Sequence, residues 1–213
     1  MKSKFLKVAA AAMAVVCLAG CSAGNFTSKS MIGTAKKYGM KETDDIYNVT
    51  NVWSGGENGA VYYTATELND INSLMWMFVS PYTKAEIDEI IICTESIPTS
   101  KEPGAGNCIS YICQVTAQDE KNAVDIAETI SNDVMDYEKV SSGEKDGYSY
   151  FIIYENFGQT DDGKPSYEFV RGVYQKGNVV IVIYGTSRAD NKKSCAAYFC
   201  KQLGLESPFT LRK

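Results

Sequence analysis

The chain has 213 residues, 45% of them hydrophobic, with 21 Lys and Arg against 26 Asp and Glu and no histidine. The apolar share is enough for one sizeable core, and the acidic balance argues against a nucleic-acid partner. Without histidine the commonest metal ligand and the usual general acid or base near neutral pH are missing, so catalysis would have to rest on carboxylates, Cys, Tyr or Lys.

Lys2, Lys4 and Lys7 precede an unbroken run of small and apolar residues from Val8 to Cys17. A basic segment followed by an apolar one is the pattern of an export signal, and the run falls well short of the about 20 residues that a membrane span needs. Leu18-Ala19-Gly20-Cys21 closes it. This segment resembles the lipobox of bacterial lipoprotein precursors, a resemblance confined to residues 1–21. It implies that residues 1–20 are a signal peptide and that Cys21 receives a diacylglycerol, so that the mature chain sits on the extracytoplasmic face of a cell membrane. Two acyl chains on one residue suffice for stable anchoring, since each buried CH₂ contributes about 0.8 kcal/mol. Removing residues 1–20 takes away three lysines and no acid, leaving 18 basic and 26 acidic residues and a net charge of −8. Residues 21–26 are read as a tether reaching about 20 Å at most, and residues 27–213 as one domain.

Along that domain, a first helix is expected from Thr27 to Tyr38, with Met31, Ala35 and Tyr38 on one stripe and Gly39 ending it. Strands are expected at Ala60–Tyr63, Glu89–Thr94, Ile109–Val115, Tyr148–Asn156, Ser166–Tyr174 and Val179–Tyr184, where β-branched and aromatic residues concentrate. Thr64 with Glu67, Thr116 with Asp119 and Ser187 with Asp190 have capping-box spacing and read as helix starts. Behind the first box Leu68, Ile71, Met75 and Phe78 form an apolar stripe; behind the second Ala123, Ile126, Ala127, Ile130, Val134 and Tyr137 do so. Asp161-Asp162-Gly163-Lys164 and Lys176-Gly177-Asn178 are turns that make the last three strands a meander. A last helix, Ser194–Leu205, ends in Gly204 as the first ends in Gly39, which raises an internal duplication. The fold class is α+β: a mainly antiparallel sheet of about six strands with helices packed on it, on a ferredoxin-like βαββαβ core with a C-terminal meander and helix.

Five cysteines follow Cys21. Cys93 and Cys113 lie on strands that a hairpin through Pro103-Gly104-Ala105-Gly106 would make neighbours, so they are the candidate disulfide, weighed against two buried reduced thiols. The Cys108/Cys113 and Cys195/Cys200 spacings do not converge on a metal from a strand or a helix, and no metal or cofactor site is expected. Glu155 and Glu168 flank the Asp161 turn and could face one another with Arg171 diagonal to them, a carboxylate pair that a glycosidase could use or an edge pair that Arg171 neutralises. Trp53, in the Gly-rich stretch Trp53–Gly59, is either a loop-borne ligand contact or a plug on the core. The final 26 residues carry a net charge of +4, read as a solvated face with lipid headgroups as the alternative. Three functions remain: a non-enzymatic module for a protein or glycan ligand, a carboxylate-dependent envelope hydrolase, and a structural or assembly lipoprotein. The first is favoured, because no nucleophile motif accompanies the missing histidine.

Overall fold

The computed structural model describes residues 26–51, 59–80, 84–98, 107–132, 139–159, 165–186 and 194–209. In chain order these form α1 (Ser28–Tyr38), β1 (Lys41–Glu42), α2 (Ile46–Thr50), β2 (Ala60–Ala65), α3 (Leu68–Leu74) running into one π-helical turn (Met75–Val79), β3 (Ile87–Pro98), β4 (Asn107–Ala117), α4 (Glu120–Asn132), β5 (Lys139–Lys145), β6 (Tyr148–Gln159), β7 (Pro165–Lys176), β8 (Val179–Thr186) and α5 (Cys195–Leu203). The signal segment, Cys21 and the Asp161–Lys164 turn lie outside the described residues.

All six expected strands form, most of them longer than their apolar runs, and two more join them at the margins of one sheet ordered β1-β2-β3-β4-β8-β7-β6-β5. Every pairing is antiparallel except β1 with β2. The expected ferredoxin-like core is not adopted. A split βαβ unit leaves room for another strand between the two it joins, whereas β2 and β3, joined through α3, pair directly.

Helices cover both faces of the sheet, which explains the continuous apolar runs in its central strands. Ile90 and Ile92 enter the core under α2, α3 and α4, together with Val49, Leu74, Phe78 and Ile126. Ile91, between them, enters the core under α1 and α5, together with Met31, Ala35, Ala196 and Phe199. The run is strand because each successive side chain has a separate core to fill; a fully buried isoleucine contributes about 1.5–3 kcal/mol.

The two Gly-ended helices have the expected caps. Gly39 and Gly204 adopt left-handed φ values of 97° and 70°. The next N–H in each case turns back, Met40 to the Ala35 carbonyl at 3.0 Å and Leu205 to the Cys200 carbonyl at 2.8 Å. This bond satisfies carbonyls that the helix end leaves open, and glycine takes the left-handed position without a Cβ clash. The helices lie together on one face, with the Tyr38 and Tyr198 rings 5.1 Å apart. The surrounding elements do not repeat, since α1 precedes a two-residue strand and α5 follows the last strand of the sheet.

The first two capping boxes are misplaced. Thr64 and Thr116 belong to β2 and β4, and their hydroxyls are buried without a hydrogen bond. α3 starts at Glu67 with no side-chain cap bond. At the start of α4, Asp119 Oδ1 itself accepts the Asn122 N–H at 2.8 Å, and α5 is capped by Ser194. Ser187 and Asp190 lie outside the described residues, as do Val134 and Tyr137 of the second stripe.

Candidate interaction surface

The glutamates and Arg171 singled out from sequence lie on β6 and β7, and Cys93 and Cys113 on β3 and β4. Trp53 lies outside the described residues. The β6–β7 register pairs Glu155 with Phe169 and Asn156 with Glu168, so the two glutamate positions are one residue out of opposition. Arg171 stands opposite Ile153 and Tyr184, with its guanidinium carbon 5.9 Å above the Tyr184 ring.

Cys93 and Cys113, the candidate disulfide pair, are free thiols, the alternative weighed against that bond. β3 and β4 are neighbours as anticipated, but Cys93 pairs with Ile112 and Cys113 with Ile92. That offset of one sends Cys93 into the core under α1 and α5, and Cys113 into the core under α2 to α4. Cys93, Cys113, Cys195 and Cys200 are free, buried thiols. Burial raises the pKa of each, to about 12 for Cys200, and the Glu95 carboxylate raises that of Cys195 further. A thiol that resists ionisation is a poor nucleophile. Among the described residues no three or more Cys, Asp or Glu are grouped to hold a metal ion.

The feature that sequence reasoning missed is an apolar surface on α2 and α3. Asp45 starts α2 by accepting the Tyr47 N–H at 2.9 Å, and Asn48 donates to the Thr43 hydroxyl at 2.7 Å. This single turn buries Val49 and leaves Tyr47 63% exposed. α3 buries Ile71 and Leu74, and its π-helical continuation buries Met75, Phe78 and Val79. Leu68, expected in the core, is 69% exposed and Trp76 is 70% exposed.

Leu68, Asn72 and Trp76 are spaced by four residues, so they follow one row along the helix surface, and all three are exposed. The π-helical turn ends with the Phe78 carbonyl accepting the buried Tyr111 hydroxyl at 3.0 Å, a bond that pins the segment carrying Trp76 to β4. Single π turns inside α-helices concentrate at functional sites.

Electrostatics set this surface apart. From Glu42 to Thr83 the chain has six acidic residues and no Lys or Arg. Tyr63, between α2 and α3, donates to Asp70 at 2.5 Å. That bond, with burial and the nearby Asp70, Asp45 and Asp44 charges, pushes its pKa up to about 12. Of these carboxylates Asp70 alone bonds the phenol, while Asp44, Asp45 and Glu67 are exposed. Among the described residues, three of the four exposed large apolar side chains, Tyr47, Leu68 and Trp76, belong to this acidic unit.

No helix among the described residues is long and apolar enough to cross a membrane. No family model matches the sequence, and no curated protein matches it significantly. Among solved structures, the chain is similar to the extracellular domain of PknH from Mycobacterium tuberculosis, at 13% identity and a TM-score of 0.42, over 75% of this chain and 91% of that one.

Proposed function

We propose that this chain is a lipid-anchored, extracytoplasmic interaction module, tethered through Cys21, that docks a partner on the exposed face of α2 and α3 without catalysing a reaction. The supporting observation is the placement of Tyr47, Leu68 and Trp76, each more than 60% exposed, on one strongly acidic unit. Large aromatic side chains left in water at a fixed position are the usual anchors of protein interfaces. The buried state of the described thiols and the out-of-register Glu155 and Glu168 positions favour binding over hydrolysis.

Two measurements test this reading. Metabolic labelling with a lipid analogue should mark the wild-type chain and leave Cys21→Ala unmarked; an unmarked wild type would remove the anchor. A photocrosslinking amino acid in place of Trp76 should capture a partner in cells, and the same probe in place of the exposed Lys201 should not. Equal yields at the two positions would remove the docking surface.

A further inference from the structure

We infer that the α2–α3 face receives a cationic polypeptide segment whose apolar side chains seat against Leu68 and Trp76. This rests on the reading of that face as an interaction surface and names the chemistry of what covers it. Charge decides the partner. Four acids, Asp44, Asp45, Glu67 and Asp70, lie on α2 and α3 and at their starts, and residues 42–83 contain no Lys or Arg. Two of the acids are engaged within the fold, Asp45 at the α2 N-terminus and Asp70 on Tyr63. Asp44 and Glu67 are exposed, and neither side chain forms an ion pair or hydrogen bond among the described residues. An apolar anchor rimmed by such carboxylates is complementary to leucine or phenylalanine flanked by Lys or Arg, and the open Trp76 ring adds a cation–π face.

Other occupants fit less well. An anionic lipid surface would be repelled by the same four acids. The position of Phe26 agrees: it packs with Tyr148 at 5.7 Å between ring centroids and under Lys176. It belongs to the core under α1 and α5, on the sheet face opposite α3. A two-fold contact with a second copy would bring this acidic surface against itself.

The test uses the full-length protein in phosphatidylcholine vesicles, with Trp53→Phe leaving Trp76 as the sole tryptophan of the two. Three synthetic peptides share one pattern of leucine and phenylalanine and differ only in carrying Lys, Gln or Glu at every polar position. The Lys peptide should shift Trp76 emission to the blue and bind about fivefold to tenfold more tightly than the Glu peptide at low salt, as two or three rim ion pairs would give. That advantage should shrink at about 0.5 M salt, where the Debye length falls to a few ångströms. Asp44→Asn with Glu67→Gln should bring the Lys peptide to the affinity of the Gln peptide.

Equal binding of all three peptides would overturn the cationic partner and leave the docking surface standing. No response of Trp76 to any peptide, with equal crosslinking at positions 76 and 201, would remove the surface itself. A blue shift without peptide in anionic vesicles, or on raising protein concentration, would assign the face to lipid or to a second copy and overturn the inference.

Discussion

The backbone N–H of Cys195 donates to the Glu95 carboxylate at 2.9 Å, closing a contact between residues one hundred positions apart. The other carboxylate oxygen accepts the Tyr38 hydroxyl at 2.6 Å. Glu95, 7% exposed on β3, therefore ties the last turn of α1 to the first turn of α5. An acid belongs there, because the free N–H groups at a helix start favour negative charge.

Glu95→Ala should lower the unfolding free energy by about 2–4 kcal/mol in urea titrations, since it strands a phenol and a backbone N–H in the interior. Tyr38→Phe should cost about 1 kcal/mol, and less than that in the Glu95→Ala background. Additive losses would mean that the three groups do not act as one unit.

Gln114 is 1% exposed in β4, and neither its amide oxygen nor its amide nitrogen has a hydrogen-bond partner. Its ladder partners Ile91 and Ile181 both enter the core under α1 and α5. Burying an unsatisfied amide costs about 1–3 kcal/mol, and methionine has nearly the same length. Gln114→Met should raise the melting temperature by several degrees, roughly the shift that about 1 kcal/mol produces in a domain of this size. An unchanged or lower melting temperature would show that the amide is satisfied in solution.

Cys93, Cys113, Cys195 and Cys200 should react with a charged maleimide only after denaturant is added, because burial holds each as the protonated thiol. Mass spectrometry of native protein after minutes of labelling should find all four unmodified. Labelling of any of them within the mixing time would contradict the packing of that residue.

The tyrosines make stability fall in alkali. Tyr62 and Tyr63 have pKa values pushed up to about 12, Tyr62 chiefly by burial and Tyr63 chiefly by its bond to Asp70. An unfolded tyrosine titrates near pH 10, at roughly its free value. The folded state therefore keeps protons that the unfolded state releases, so this contribution is complete below about pH 10 and is lost as pH rises toward about 12. Urea midpoints should stay level across neutral pH and then decline through that window. Tyr63→Phe should lower the neutral plateau and flatten the alkaline decline; an unaltered slope would move the effect to other groups.

The strands that could be read from sequence were those that build their own core. Ile90-Ile91-Ile92 and Val179–Tyr184 are apolar on both alternations, and both faces are indeed covered. β5, Lys139-Val-Ser-Ser-Gly-Glu-Lys145, has no such pattern, and it is a strand because β6 offers it a free ladder along its whole length. Thr64 and Thr116 looked like helix caps because spacing cannot show where a strand stops: pairing with β3 carries both past their apolar runs and into the ladder. The candidate surface was hidden for a related reason. Leu68 shares its period with Ile71, Met75 and Phe78, but it stands at the exposed margin of the stripe that those residues bury.

By itself the amino-acid order determined the local features of this protein: the alternation of its central strands, the glycine stops of two helices, and the acidic run from Glu42 to Thr83. These depend on neighbours within a few residues, where backbone sterics and side-chain period act directly. Strand order, the one-residue registers that part Cys93 from Cys113 and Glu155 from Glu168, and the exposure of Leu68 and Trp76 were decided only by tertiary structure. Each depends on which distant surface a segment meets, and a slip of one position in a ladder exchanges the faces of a strand without altering its sequence pattern.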